Sequence, residues 1–472
     1  MLKQLSGILL MLSTAASCVV DVDNDAEPTG VTMSELATTA RMANNIPFRN
    51  PSGYSASYST AGHIDLGNEF FQDLGANGRR CVSCHLPSSG WGIRPADMQA
   101  IFQATDGGAK DDGVGLGAVF RLNDGANSPN ADVSTLAARR VAYSQLLTKG
   151  LIRVGIGVPS TAEFELVAVD DPYGYASAAE LSLFRRPLPT TNIRMLSTVM
   201  WDGRETFPGK SVHFDLSVQA SDATTGHAEG SPLTDAQRES IVSFEVSLHT
   251  AQVWDDKAQT LVSEGGNGGL PSLVEQDFYI GINDNFGDSQ TGEQFTPIVF
   301  DLYDAWAGSS SDRRRSVARG QALFNTRTIN ITGVSGLNDE AIFGTPAVVV
   351  GTCTTCHNTP NSGNHSVVAP LDLGLVDASR RTPDMPLYTL RNKATGELKQ
   401  VTDPGRALIS GRWKDIGRFK GPVLRALAAR APYFHDGSAA DLGAAVDFYD
   451  TRFAMGLTAA ERADLVAFLR TL

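Results

Sequence analysis

The sequence predicts a mainly α-helical chain of two halves related by duplication, with an insertion of loop and β-hairpin in the first half. Three observations lead there. Leu233-Thr234-x-x-Gln237-Arg238-x-x-Ile241-Val242-x-Phe244 returns 224 residues later as Leu457-Thr458-x-x-Glu461-Arg462-x-x-Leu465-Val466-x-Phe468. In both copies a threonine stands at a helix N-cap, Gln237 or Glu461 completes a capping box, and the apolar residues recur at helical period. Upstream, Trp201-Asp202-Gly203 and Val212-x-Phe214 are echoed by His435-Asp436-Gly437 and Val446-x-Phe448. The third observation is a long stretch without an echo. In it Asp106 to Asn130, rich in Gly, Asp and Asn, reads as loop, and alternating segments around Val158-Pro159-Ser160, within Leu151 to Val169, suggest a β-hairpin.

The cysteines carry the chemistry. Of five, four form two copies of one pattern, Cys81-Val82-Ser83-Cys84-His85 and Cys353-Thr354-Thr355-Cys356-His357. Two thiols three positions apart on one helical turn reach the two vinyl groups of a haem, and the next residue aims its imidazole at the iron. A disulfide pair or a four-cysteine zinc site would use the same cysteines, but neither needs a histidine directly after both pairs. A redox Cys-x-x-Cys would want a strand-to-helix context and would hardly occur twice. Two covalent c-type haems are therefore expected, held by Cys81, Cys84 and His85 and by Cys353, Cys356 and His357. A haem-bearing helix near the start and a long helix at the end is the layout of a cytochrome c domain. Arg319-Gly320-Gln321-Ala322-Leu323-Phe324 reads as the helix leading into the second haem segment.

Length and composition set the frame. A chain of 472 residues with 42% apolar and 19% charged residues can bury a sizeable core. A net charge of -13 without a basic block argues against nucleic acid as a partner. Lys3, the apolar Leu5 to Leu12 and the small residues Ser13 to Ser17 read as an export signal. Ala15-Ala16-Ser17-Cys18 resembles a lipobox, so the expectation is a periplasmic protein, lipid-anchored through Cys18, with a plain cleavage site as the alternative. The expected organisation is a signal peptide over 1–18, a linker over 19–45, a first cytochrome c-like domain over 46–290 with its insertion at about 92–186, and a second over 291–472. No later stretch reaches the roughly 18 apolar residues of a membrane span. Asp111, Asp112, Asp170 and Asp171 offer oxygen donors for calcium, although a solvated surface is the simpler reading.

The run Asp403-Pro404-Gly405-Arg406, Phe419-Lys420-Gly421-Pro422-x-Leu424-Arg425 and Pro432-Tyr433-Phe434-His435-Asp436-Gly437 resembles the bacterial diheme cytochrome c peroxidases and MauG. With both haem motifs and Trp201-Asp202-Gly203-Arg204, the resemblance covers most of 60–90 and 187–472. It implies that peroxide reacts at the first haem, with His85 as proximal ligand, while the haem of His357 relays electrons. It implies Trp201 as the bridge between them, where a core tryptophan is the plainer role, and calcium between the domains.

Two positions depart from the family. Where its peroxidases place a methionine ligand, fourteen residues after the His of Phe-His-Asp-Gly, this chain has Tyr449, as MauG has tyrosine. A phenolate would lower the potential of the second haem; aromatic packing is the alternative. His435 is expected to hydrogen-bond near that haem. No histidine occurs from residue 86 to 212 to cap the first iron, so that haem is expected to be open. Gln219-Ala220 resembles the start of the family's distal segment, which makes Gln219 and Glu229 the candidates for moving the peroxide proton, with His227 sharing that task or ligating. The expected activity is reduction of hydrogen peroxide, or its use against an organic or protein substrate, with electrons from a small cytochrome or cupredoxin. A pure electron carrier and a dioxygen-using enzyme similar to the rubber oxygenases are the rival classes.

Overall fold

The computed structural model describes residues 27–28, 40–110, 112 and 115–472. The expected signal peptide, Cys18 and most of the linker lie outside the described residues. The fold is not mainly α: helix accounts for 33% and strand for 16%, and the strands form five small sheets among the described residues. The sheets draw on strands of two to eight residues from distant parts of the chain, too short to leave a clear period in the sequence. The haem motifs also contribute little helix. Each is a single 3₁₀ turn, Cys81–Ser83 and Cys353–Thr355, and the histidine N–H donates back to the first cysteine's carbonyl at 3.0 Å for His85 and 3.2 Å for His357.

The capped helices form as their sequences require. Asp235–Ser247 starts at a box in which the Thr234 N–H donates to Gln237 Oε1 at 3.0 Å and the Gln237 N–H donates to Thr234 Oγ1 at 3.3 Å. Ala459–Leu469 repeats it with Thr458 and Glu461, at 2.8 and 3.2 Å. Ser311 caps Asp312–Thr326, which crosses Ala459–Leu469 at Gly320. A Cβ there would lie 1.9 Å from the Asp464 carbonyl oxygen, so the close approach depends on glycine. Around this crossing Phe300, Tyr303, Trp306, Val317, Phe324, Leu465 and Phe468 form the core of the second half. The first half packs Phe70, Phe71, Trp91, Ile241, Phe244 and Leu248, its aromatic rings mostly edge to face.

The inserted segment departs from the expected hairpin. Strands Ile152–Ile156 and Phe164–Asp170 exist but do not pair with each other. The first pairs with Leu181–Arg185, and the second joins Leu387–Asn392 and Leu398–Val401 in a three-stranded antiparallel sheet. Burial explains the choice. Leu181–Arg185 is buried at every position, so it needs cover on both faces, which an isolated hairpin cannot give. Phe164, Leu181 and Leu183 share a core with Tyr388, Leu390, Val401 and Ile416. The segment over about 92–186 also contains helices Pro95–Thr105, Leu136–Ala142 and Ser144–Lys149, which the sequence does not announce. No helix among the described residues is long and apolar enough to cross a membrane.

Candidate haem centres

In the second half, Cys353, Cys356 and His357 line a deep, largely apolar cavity together with Tyr449, His435 and Trp201. Among the described residues, none of the four motif cysteines forms a disulfide. Burial pushes the Cys353 and Cys356 thiols up to about 12, so both are neutral. The His357 Nδ1 lies 2.5 Å from the Gly363 carbonyl oxygen, which fixes the proton on Nδ1 and leaves the Nε2 lone pair for another partner. Burial also lowers the His357 pKa, keeping the ring neutral as a ligand must be. Tyr449 is half-buried, and the burial of its ring pushes its phenol upward, with the two cysteines adding to the effect. Only a nearby cation would favour its phenolate. His435 stacks on Phe419 with ring centroids 4.2 Å apart and meets Trp201 at 6.3 Å. Neither of its ring nitrogens has a hydrogen-bond partner among the described residues.

The first-half motif opens on two adjoining cavities that share His85, Gln219, His227 and Glu245. One also holds Cys81 and Cys84, the other Trp201 and Lys420. His85 repeats the arrangement of His357: its Nδ1 lies 3.1 Å from the Trp91 carbonyl oxygen, and burial lowers its pKa to about 4. Paired thiols and an imidazole tied at its outer nitrogen, set in an apolar space, are the donor set a covalently attached haem requires. Both sites fit that group. Trp201 lines a cavity of each half, and its Nε1–H donates to the Arg186 carbonyl at 2.7 Å.

The expected site residues divide. Gln219 and His227 come together with His85, whereas Glu229 lies outside both cavities, exposed and at φ 55°. Tyr449 shares the cavity of His357, as does His435. Asp111 is outside the described residues, and among those described no cluster of three or more His, Cys, Asp or Glu is arranged to hold a metal ion.

Three groups escaped the sequence reading. Glu245 is 4% exposed, lines both first-half cavities, and has a carboxylate oxygen without a partner among the described residues; burial alone pushes it up to about 8. A signal existed, because the helical register that matches Phe244 to Phe468 sets Glu245 against Leu469. Lys420 is lowered to about 7 by burial, donates to the Thr198 carbonyl at 2.7 Å and lines a cavity of each half. Arg185 bridges Asp202 at 2.6 Å and Asp403 at 2.7 Å, all three buried. Burial pushes the Asp202 carboxyl up, but Arg185 and Arg204 outweigh it and hold the group below its ordinary range.

No protein-family model matches the chain. A stretch of 195 residues is 32% identical to cytochrome-c peroxidase IdrP1 of Pseudomonas sp. (strain SCT), covering 37% of this chain and 44% of that protein. Another of 136 residues is 32% identical to cytochrome-c peroxidase IdrP2 of Denitromonas iodatirespirans, covering 26% of this chain and 36% of that one. The matches thus span less than half the length of these curated relatives. Among solved structures, a MauG-like protein associated with microbial copper homeostasis aligns over 95% of both chains at 16% identity, with a TM-score of 0.39. Over the stretches they share, the chain is similar to these cytochrome c peroxidases.

Proposed function

We propose that the chain is a diheme peroxidase-like oxidoreductase that reduces hydrogen peroxide, or turns it on a second substrate, in the net reaction H2O2 + 2 e⁻ + 2 H⁺ → 2 H2O. The observation that carries this reading is Trp201, which lies in the wall of a cavity from each Cys-x-x-Cys-His motif. The haems would supply the electron transfer and the site at which peroxide is bound and cleaved. The remaining roles belong to the chain. Cys81, Cys84, Cys353 and Cys356 would attach the haems and His85 and His357 would ligate them, each imidazole oriented by a backbone carbonyl. Tyr449 is proposed as the second ligand in its cavity, and Trp201 as the conductor between halves. Gln219 would orient peroxide in the first cavity and His227 would move its proton, while Glu229, at the surface, is kept as a candidate for passing protons to solvent.

The relatives' printed names support the peroxidase class. The expected leader supports an exported, periplasmic location with a lipid anchor at Cys18. A small cytochrome or cupredoxin, or an organic or protein substrate, is the proposed source of electrons, and calcium is proposed as a structural ion between the halves.

The test is to mature the chain with covalent haem, count haems from the intact mass, and mix the protein with stoichiometric peroxide in a stopped-flow spectrometer. Two haems per chain and a rapid Soret change are expected, the change lost in His85→Gly. A mass without two porphyrins, or spectra that peroxide leaves unchanged, overturns the proposal.

A further inference from the structure

His227 ends the helix Val212–His227, and two separate segments hold it in place. Its Nδ1 lies 2.5 Å from Asp124 Oδ2. Its backbone carbonyl accepts from Asn77 Nδ2 at 2.9 Å and from Arg79 Nη1 at 3.1 Å. Arg79 stands two residues before Cys81; the same nitrogen lies 3.2 Å from Asp124 Oδ2, and the guanidinium also donates to the carbonyls of Ala118 and Val119 at 3.1 Å. Asn123 Nδ2 donates to the Gly226 carbonyl at 2.7 Å. Asp124, Asn123, Ala118 and Val119 all belong to the inserted segment. Asp124 takes a left-handed φ of 61°, a strained conformation that aspartate tolerates better than most residues.

A surface ion pair does not account for this arrangement. The side chain of Arg79 is 4% exposed and that of Asp124 13%, and they already satisfy each other without His227. What the imidazole adds is orientation. A carboxylate only accepts, so the proton of a neutral His227 sits on Nδ1 and the lone pair on Nε2. His227 lines both first-half cavities, as does His85, which is close enough for the two rings to interact electrostatically.

We propose that Asp124 is a positioning residue that holds His227 in the Nδ1–H tautomer, so that Nε2 serves as the base for ligands entering the first haem cavity. The proposal rests on the reading of that cavity as a haem site open to peroxide. Nε2 takes the proton from one oxygen of H2O2 and returns it to the other as the O–O bond breaks, so that water leaves. The two electrons are those of the donor in the net reaction, drawn through the haems. The inserted segment thereby gains a chemical role: it supplies the carboxylate that aims the base.

The experiment uses the haem-loaded full chain as wild type, His227→Gln, Asp124→Asn and Asp124→Glu. Two rate constants are measured, one for the Soret change with peroxide and one for cyanide binding to the ferric protein. Cyanide enters as HCN and must also lose a proton, yet it involves no turnover and no electron donor. His227→Gln is expected to lower both constants by about 100-fold or more. Asp124→Asn is expected to lower them by about 10- to 100-fold, with recovery in Asp124→Glu and unchanged resting electron paramagnetic resonance signals. Wild-type rates in Asp124→Asn overturn the proposal. So does a low-spin signal in wild type that His227→Gln turns high-spin, because His227 would then be an iron ligand. If wild type ignores peroxide while the cyanide series behaves as stated, the peroxidase reading fails and the Asp124–His227 pair stands.

Discussion

Replacing Glu245 by leucine, the residue its counterpart helix carries at 469, removes a carboxyl that burial holds at about 8 against an ordinary 4.5. Below pH 4.5 both the folded and the unfolded chain carry the proton, and the group has no electrostatic cost. Between 4.5 and 8 the unfolded chain releases it while the folded chain does not. Folded stability then falls by about 1.4 kcal/mol per pH unit, and the loss approaches about 5 kcal/mol at pH 8 before levelling off. Glu245→Leu lacks this limb, and a leucine at this buried position has no proton to lose. The advantage of the variant over wild type should therefore grow as pH rises. Urea denaturation of the haem-loaded proteins at about pH 5, 6.5 and 8, followed by far-ultraviolet circular dichroism, measures it. Parallel pH dependences for wild type and variant would show that the carboxyl is not held neutral in the folded protein.

Arg185→Met leaves Asp202 and Asp403 buried without their cation and should destabilise the chain by about 3–5 kcal/mol, read as a lower urea midpoint. Because Asp202 is held below its ordinary range, the stability it contributes is present at neutral pH and lost as pH falls through its depressed pKa; in Arg185→Met this acid limb should shrink. Tyr449→Phe should abolish any phenolate-to-iron absorption and raise the potential of the second haem in a spectroelectrochemical titration, whereas an unchanged potential would return Tyr449 to a packing role. Trp201→Phe should slow electron equilibration between the haems without altering either haem's absorption spectrum, checked by flash reduction; equal rates would remove it from the route.

Local turns and caps were more legible in the sequence than the architecture. Cys-x-x-Cys-His is a local constraint: one turn of chain fixes two thiols and an imidazole, so five residues suffice to read it. Capping boxes are local too, and Thr234 with Gln237 and Thr458 with Glu461 formed as expected. Sheet partners are not local. Phe164–Asp170 looked like half of a hairpin because its alternation is visible in the sequence, while its partner, Leu387–Asn392, lies more than two hundred residues away. The site shows the same division. Gln219 and His227 lie on one helix and arrive together, but Glu229, two residues past its end, turns outward at a left-handed φ, and no spacing rule anticipates that turn. Asp124 was unreadable for a related reason: its role depends on contact with a residue 103 positions away.

The segment over about 92–186 accounts for much of how the two halves meet. Its strand Phe164–Asp170 is bonded into a sheet of the second half. Its last strand delivers Arg185 to a carboxylate from each motif region, Asp202 and Asp403, and the Arg185 guanidinium lies over the ring of Phe419, which stacks on His435. The next residue, Arg186, accepts from Trp201 through its carbonyl and donates its own N–H to the His435 carbonyl at 2.6 Å. One short segment thus fixes the tryptophan shared by the two halves' cavities and the histidine of the second. Electron transfer between fixed centres depends steeply on their separation, so if Trp201 conducts as proposed, the strand that leads into Arg186 would help set the rate. Shortening the connection at Val158-Pro159-Ser160 should therefore disturb communication between the halves before it disturbs either Cys-x-x-Cys-His turn, in each of which the histidine N–H bonds back to the first cysteine's carbonyl.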